Sequence, residues 1–210
     1  MEWRSKLEEK RRRRERKERA ILEAAKSLFL EKGLEAATME DLSRRVGLGK
    51  GTLYFYFKGK EEIALRLLSE GVGGLFEEME KVLASPFGPK EKLREFVKAF
   101  LSYYKGNEAF FRIFVFGRKP ARSLLPEEVF RENAEKGSKF LEAFSKTVEE
   151  GIREGVFGPM DPWKVTVLGW ALVFGILFLY EDEISRGLLK VELEELMDYA
   201  FEFFMRGLRR

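Results

Sequence analysis

Residues 38–60 constrain the fold of this chain more than any other stretch. They read Thr-Met-Glu-Asp-Leu-Ser-Arg-Arg-Val-Gly-Leu-Gly-Lys-Gly-Thr-Leu-Tyr-Phe-Tyr-Phe-Lys-Gly-Lys. Thr38 is a helix N-cap, with Asp41 three residues on in a capping-box-like arrangement. Met39, Leu42 and Val46 face inward, and Gly47 ends that helix. The turn Gly47-Leu48-Gly49 leads into a second short helix from Lys50 to Phe57, held down by Leu53 and Phe57. Its other sides carry Lys50, Gly51, Thr52, Tyr54, Tyr56 and Lys58. Two short helices on a tight turn are the layout of a helix-turn-helix.

The surrounding pattern is helical almost throughout. Ile21, Leu22, Ala25, Leu28 and Phe29 make one stripe of a helix over about 17–32, closed by Gly33. Further helices are expected over about 61–84, 90–104, 108–116, 126–154, 162–185 and 192–208. The breaks fall at 85–89, 105–107, 119–120, 155–162 and 186–187. Strand-like alternation is missing. The expected fold is all-α with about nine helices: a three-helix head and a larger helical body. The domain reading is a basic arm over 1–16, a DNA-binding head over 17–62 and a body over 63–210.

Charge agrees with a polyanion partner. Residues 1–60 hold 17 Lys and Arg against 10 Asp and Glu, a balance of +7, which leaves −4 for the rest of a chain whose net charge is +3. A basic end on a mildly acidic body is the electrostatic footprint of a nucleic-acid binder. Within 4–19 a solvated helix with Glu/Arg pairs stands beside a basic arm reaching DNA phosphates or an adjacent minor groove; a mixture is expected, with Arg11, Arg12, Arg13 and Arg14 as candidate phosphate contacts of low specificity.

The sequence contains no Cys, no His and no Gln, and Asn107 and Asn133 are its only asparagines. No disulfide, thiolate metal site or histidine base is available, so no metal or cofactor is expected. Few thermolabile side chains among many Glu, Lys and Arg resemble the composition of a protein from a hot environment. Adjacent carboxylates such as Glu127/Glu128 and Glu149/Glu150 point apart on their helices. With no nucleophile elbow or phosphate loop, an enzyme is not expected. The N-terminus has no apolar leader, and the apolar run 165–180 is short for a membrane span and bracketed by charge. It is expected to be a buried helix, in a cytoplasmic protein.

Gly-Lys-Gly-Thr-Leu-Tyr-Phe-Tyr-Phe-Lys-Gly-Lys-Glu-Glu at 49–62 resembles the signature of the TetR family of bacterial transcriptional regulators. The first helix and the Ala37–Leu42 start of the second match too, so the resemblance covers about 17–65. Gly49 and Gly59 stand where that family often has Ser. The resemblance implies a homodimer whose two heads enter successive major grooves of a pseudo-palindromic operator. It also implies a ligand cavity in the body, and release of DNA on ligand binding.

The DNA-contacting residues expected are Thr38, Lys50, Gly51, Thr52, Tyr54, Tyr56 and Lys60. Lys50 lies where base edges are read. Gly51 admits a close backbone approach. Tyr54 and Lys60 are expected on phosphates, Lys60 with its helix N-terminus. Phe55 could contact thymine methyls or pack against the first helix, and packing is the favoured reading.

Phe96, Phe100, Tyr103, Phe111, Phe114, Phe140, Phe144, Trp170 and Phe174 are the candidate ligand-binding residues. Each alone reads as core; together they suit a mostly apolar pocket between helices. The effector expected is large and apolar, fatty acyl or aromatic, acyl-CoA included. Arg112, Arg118 or Arg122 is available for an acidic group. Trp170, Phe178, Leu193, Met197, Phe201 and Phe204 are the candidate dimer interface, with Gly169 and Gly175 allowing close helix approach. The alternative is an architectural or protein-partner-regulated DNA binder on the same fold, without a small-molecule effector.

Overall fold

A computed structural model describes residues 2–116 and 126–209. Ten α-helices and one π-helical turn occur among the described residues, with no strand. The chain divides into two compact units, Met1–Gly71 with Glu108–Val129 and Val72–Asn107 with Phe130–Arg210. The unit that holds the head runs to Gly71 and takes in a segment from the middle of the chain.

In the head unit, α1 spans Glu2–Lys32, α2 Met39–Val46 and α3 Lys50–Tyr56, and α4 begins at Lys60 and runs to Leu83. The predicted stripe on α1 is the core, with Ile21, Leu22, Ala25, Leu28 and Phe29 all buried. The helix starts at Glu2, not Lys17, so the segment read as an arm is its exposed first half.

Thr38 caps α2 by accepting from the Asp41 amide at 3.1 Å and donating to the Asp41 carboxylate at 2.8 Å. Gly47 closes α2 at φ 68, the left-handed region that favours glycine. Gly49 caps α3 without a side-chain bond, as a residue lacking an oxygen must. The short α6, Glu108–Phe110, leads into the π turn Phe111–Val115, and both contact α1. The Phe110 ring occupies the space a Cβ on Gly71 would need, 2.2 Å away.

The second unit contains α5 (Pro89–Gly106), α8 (Pro162–Glu181), α9 (Glu183–Leu189), α10 (Leu193–Gly207) and most of α7 (Glu127–Arg153). Asp161 caps α8 by accepting from the Trp163 and Lys164 amides, ahead of Pro162 in the first turn. Those amides hold the Asp161 carboxyl below the usual range. The predicted break at Arg186-Gly187 falls inside α9. The chain breaks instead at Asp182, whose side chain caps α9 through the Ser185 amide at 2.8 Å, and at left-handed Lys190.

α8 is not the buried helix its composition suggests. Val165, Thr166, Ile176 and Leu177 are buried, while Val167, Leu168, Phe178 and Leu179 are exposed. It is also the one described helix long and apolar enough to cross a membrane, by length and composition only.

Candidate nucleic-acid interface and ligand cavity

The head presents α3 to solvent on a firm base. Leu53 is fully buried and Phe57 nearly so, which leaves Lys50, Gly51, Thr52 and Tyr54 on the outer sides. Thr38, Lys50, Tyr54 and Lys60 line one cleft of about 510 Å³ together with Glu40 and Lys58. Lys50 pairs with Glu40 at 3.0 Å, both side chains more than half exposed. A cation on so exposed a carboxylate exchanges partners at little cost. Space beyond Gly51 is open. Tyr56 is half-buried, its ring edge-on to Phe55 at 5.4 Å.

Two residues sit otherwise than the sequence suggested. Phe55 does not pack into the head: it is 71% exposed, and the Arg14 guanidinium of α1 lies 5.8 Å over its ring. Lys60 faces inward. Its ammonium donates to the carbonyls of Leu34, Glu35 and Ala37, at 3.0, 2.5 and 3.0 Å. An ammonium has three donors, and here all three go to the α1–α2 turn.

Further ties fix α2 on α1. Lys32 pairs with Asp41 at 2.9 Å, and Arg45 donates to Ser27 and Glu31 at 2.9 and 2.8 Å. The Lys32 ammonium, with help from the Thr38 hydroxyl, pulls the Asp41 carboxyl down from 3.8 to about 2. These cross-helix ties were not read from the sequence, because Glu31, Lys32 and Arg45 look like ordinary surface charge.

The second unit holds a partly open cavity of about 500 Å³ between α4, α5, α7, α8 and α10. Of the nine residues proposed for a ligand, Phe96, Phe100, Phe140, Phe144, Trp170 and Phe174 line it. Tyr103 does not: its hydroxyl lies against Gly74, where burial raises its pKa. Phe111 and Phe114 belong to the π turn of the head unit, where they meet the Phe110 ring edge-on and tilted.

Every lining residue is uncharged, and Ser138 and Thr166 carry the only lining hydroxyls. The Thr166 hydroxyl is already donated to the Pro162 carbonyl at 2.8 Å. Arg112 pairs with Glu108 in the head unit, and Arg118 and Arg122 lie outside the described residues. The sequence missed the aliphatic wall of Leu75, Met79, Leu93, Val97 and Leu141.

The proposed interface set divides. Phe178 and Trp170 are exposed by about half, and Leu193 and Phe204 are intermediate. Met197 and Phe201 are buried within the chain and line the cavity. On α10 the exposed apolar groups are Tyr199 and Phe203 instead. A Cβ built on Gly169 would meet the Phe204 ring of α10 at 3.2 Å, an internal contact, whereas Gly175 opens on the exposed side of α8.

Known proteins resemble both units. Residues 21–67 match the profile described as bacterial regulatory proteins, tetR family, and residues 87–176 match the tetracyclin repressor-like C-terminal domain. The uncharacterized HTH-type transcriptional regulator YhgD of Bacillus subtilis is 27% identical over 180 residues, 80% of this chain and 85% of its own length. Among solved structures, the TetR family regulator PfmR of Thermus thermophilus superposes with a TM-score of 0.76 at 28% identity, covering 90% of this chain and 99% of its own. FadR of Bacillus subtilis, solved in complex with stearoyl-CoA, shares the fold with a TM-score of 0.69 at 21% identity over 90% of this chain and 98% of its own.

Proposed function

The chain belongs to the TetR family of bacterial transcriptional regulators, which are not enzymes, and from that premise we propose that it is a ligand-responsive repressor. It binds a pseudo-palindromic operator in cytoplasmic DNA as a homodimer, and leaves it when a large apolar effector fills the cavity. The observation that carries the effector class is the cavity wall, uncharged throughout and built from aromatic and aliphatic side chains. Burying a charge there without a partner would cost several kcal/mol. A fatty acyl chain or a comparably large apolar body fits inside, and any charged end remains outside. Stearoyl-CoA, the ligand in the FadR structure, has that division of chemistry. A cavity of this size also favours a small-molecule effector over regulation by a protein partner alone.

On the DNA, Lys50, Gly51, Thr52 and Tyr56 read sequence, while Thr38 and Tyr54 position the head on phosphates. For Lys60 the phosphate contact passes to the α4 N-terminus it stands on, since its ammonium is occupied. The dimer forms through the exposed side of α8, where Leu168 and Phe178 lie, together with Tyr199 and Phe203 of α10. Several large apolar side chains exposed on two helices that pack together mark an interaction surface.

The test has two arms. DNA enriched by the chain from a genomic fragment pool is bound in fluorescence anisotropy, and stearoyl-CoA, CoA alone and simple aromatics are titrated in. Release by the acyl compound but not by CoA is expected. No release by any of them, with the DNA still bound, would defeat the effector reading. Tyr54→Ala is expected to weaken binding to all sequences, and Lys50→Ala to change which sequence is preferred.

A further inference from the structure

The positive charge of the head is not where the helix-turn-helix is. Residues 2–19 hold 10 Lys and Arg against 5 Asp and Glu, whereas residues 20–60 hold 7 against 5. Most of the basic balance therefore lies on the first half of α1, which is exposed. That half is an unbroken continuation of a helix whose second half is core.

Its charges are also sorted by face. Lys10, Arg14, Lys17, Ile21 and Leu28 fall along one stripe at helical spacing. Ile21 and Leu28 bury that stripe in the head. Beyond the core the same stripe turns from apolar to cationic, and Lys6 and Arg13 flank it. At 100° per residue these five cations share a sector holding no carboxylate; Glu8, Glu9, Glu15 and Glu18 lie on other sides. One contact fixes where the sector faces: the Arg14 guanidinium sits over the ring of Phe55, an exposed residue of α3. The cationic side of α1 therefore borders the helix proposed to enter the major groove.

We propose that the first half of α1 is a second DNA-contacting surface, a rigid basic strut that binds backbone phosphates of the duplex flanking each half-site. It rests on the DNA-binding reading above and adds to it where the salt-dependent share of affinity resides. From Trp3 to Arg19 the helix is about 24 Å long at ~1.5 Å per residue. That spans about 7 base pairs at ~3.4 Å each. The strut contacts phosphates and reads no sequence, so it lengthens the footprint without lengthening the recognised site.

The experiment compares the full chain with the triple variant Lys10→Gln, Arg13→Gln, Arg14→Gln. Glutamine keeps helix propensity, and all three positions are exposed. Binding is measured across salt on the duplex the chain enriches from a random pool, made either with 10 extra base pairs on each side or with none. Each phosphate contact contributes ~0.9 to the slope of log K against log salt. The parent chain is expected to show a slope steeper by about 2–3 per head on the flanked duplex than on the trimmed one. The variant, with parental helicity and melting temperature, is expected to show the same slope on both. Equal slopes for parent and variant on the flanked duplex would overturn the strut while leaving the helix-turn-helix reading intact. Failure of both proteins to bind any duplex would overturn that reading and the strut with it.

Discussion

Gly137 lies on α7 in the cavity wall, and a Cβ built there meets no heavy atom within 4 Å. Replacing it with leucine sends a side chain into open apolar space. The helix gains about 1 kcal/mol from losing a mid-helix glycine. Burying the leucine adds about 1.5–3 kcal/mol. The ligand-free protein should then be more stable by about 2–4 kcal/mol, or some 5–15 °C in melting temperature for a chain of this size. The effector should suffer the opposite change. Four side-chain carbons displace about four ligand methylenes, worth ~0.8 kcal/mol each, so affinity falls roughly a hundredfold. The DNA-contacting residues themselves are unchanged, because Gly137 is in the second unit. The assay pairs a thermal melt with release of operator by stearoyl-CoA. A variant that melts no higher than the parent, or is released at the same concentration, refutes the placement of an apolar ligand beside α7.

Three further outcomes follow from other parts of the fold. Lys60→Met removes three hydrogen bonds to the α1–α2 turn and should cost about 1–3 kcal/mol of stability while leaving the salt slope of DNA binding unchanged; a slope lower by about 1 at parental stability would return Lys60 to a phosphate. Asp41 has its carboxyl depressed from 3.8 to about 2, so its stabilising contribution is present above pH 3.8 and is lost as pH falls through about 2. Acid melts of Asp41→Asn against the parent should differ above pH 4 and converge below pH 2, and a constant gap would refute the Lys32–Asp41 tie. Leu168→Glu with Phe178→Glu should give a folded monomer in sedimentation, and a dimer that persists at micromolar concentration would remove α8 from the interface.

The head is legible in the sequence because its determinants are local. Thr38 and Asp41 close a cap within three residues, and Gly47 takes the one turn conformation other side chains avoid. Leu53 and Phe57, one turn apart, can only point the same way. The hydrogen bonds of Lys60 were not legible, because nothing local distinguishes a lysine aimed at solvent from one aimed at three carbonyls in a turn 23 to 26 residues earlier. The cavity was half legible for the same reason. Aromatic residues announce a large apolar volume, but Phe111 and Phe114 joined the head through a π turn that no period predicts.

The two C-terminal helices show what a hydrophobic stripe can and cannot say. α10 has a single apolar stripe through Met197, Ala200, Phe201 and Phe204, and all four line the chain's own cavity. One stripe satisfies one neighbour, and the nearest is α8, whose Gly169 receives Phe204. α8 differs in kind, being apolar on every side from Val165 to Leu179. A helix in the chain's own core needs only one such side; the other lies exposed at Val167, Leu168, Phe178 and Leu179. The signal for a second partner is therefore not the richness of a stripe but the absence of a polar side to oppose it. By that criterion the partner copy should meet α8 first, with Tyr199 and Phe203 of α10 at its border. The stripe at Met197 and Phe201 should answer instead to the ligand.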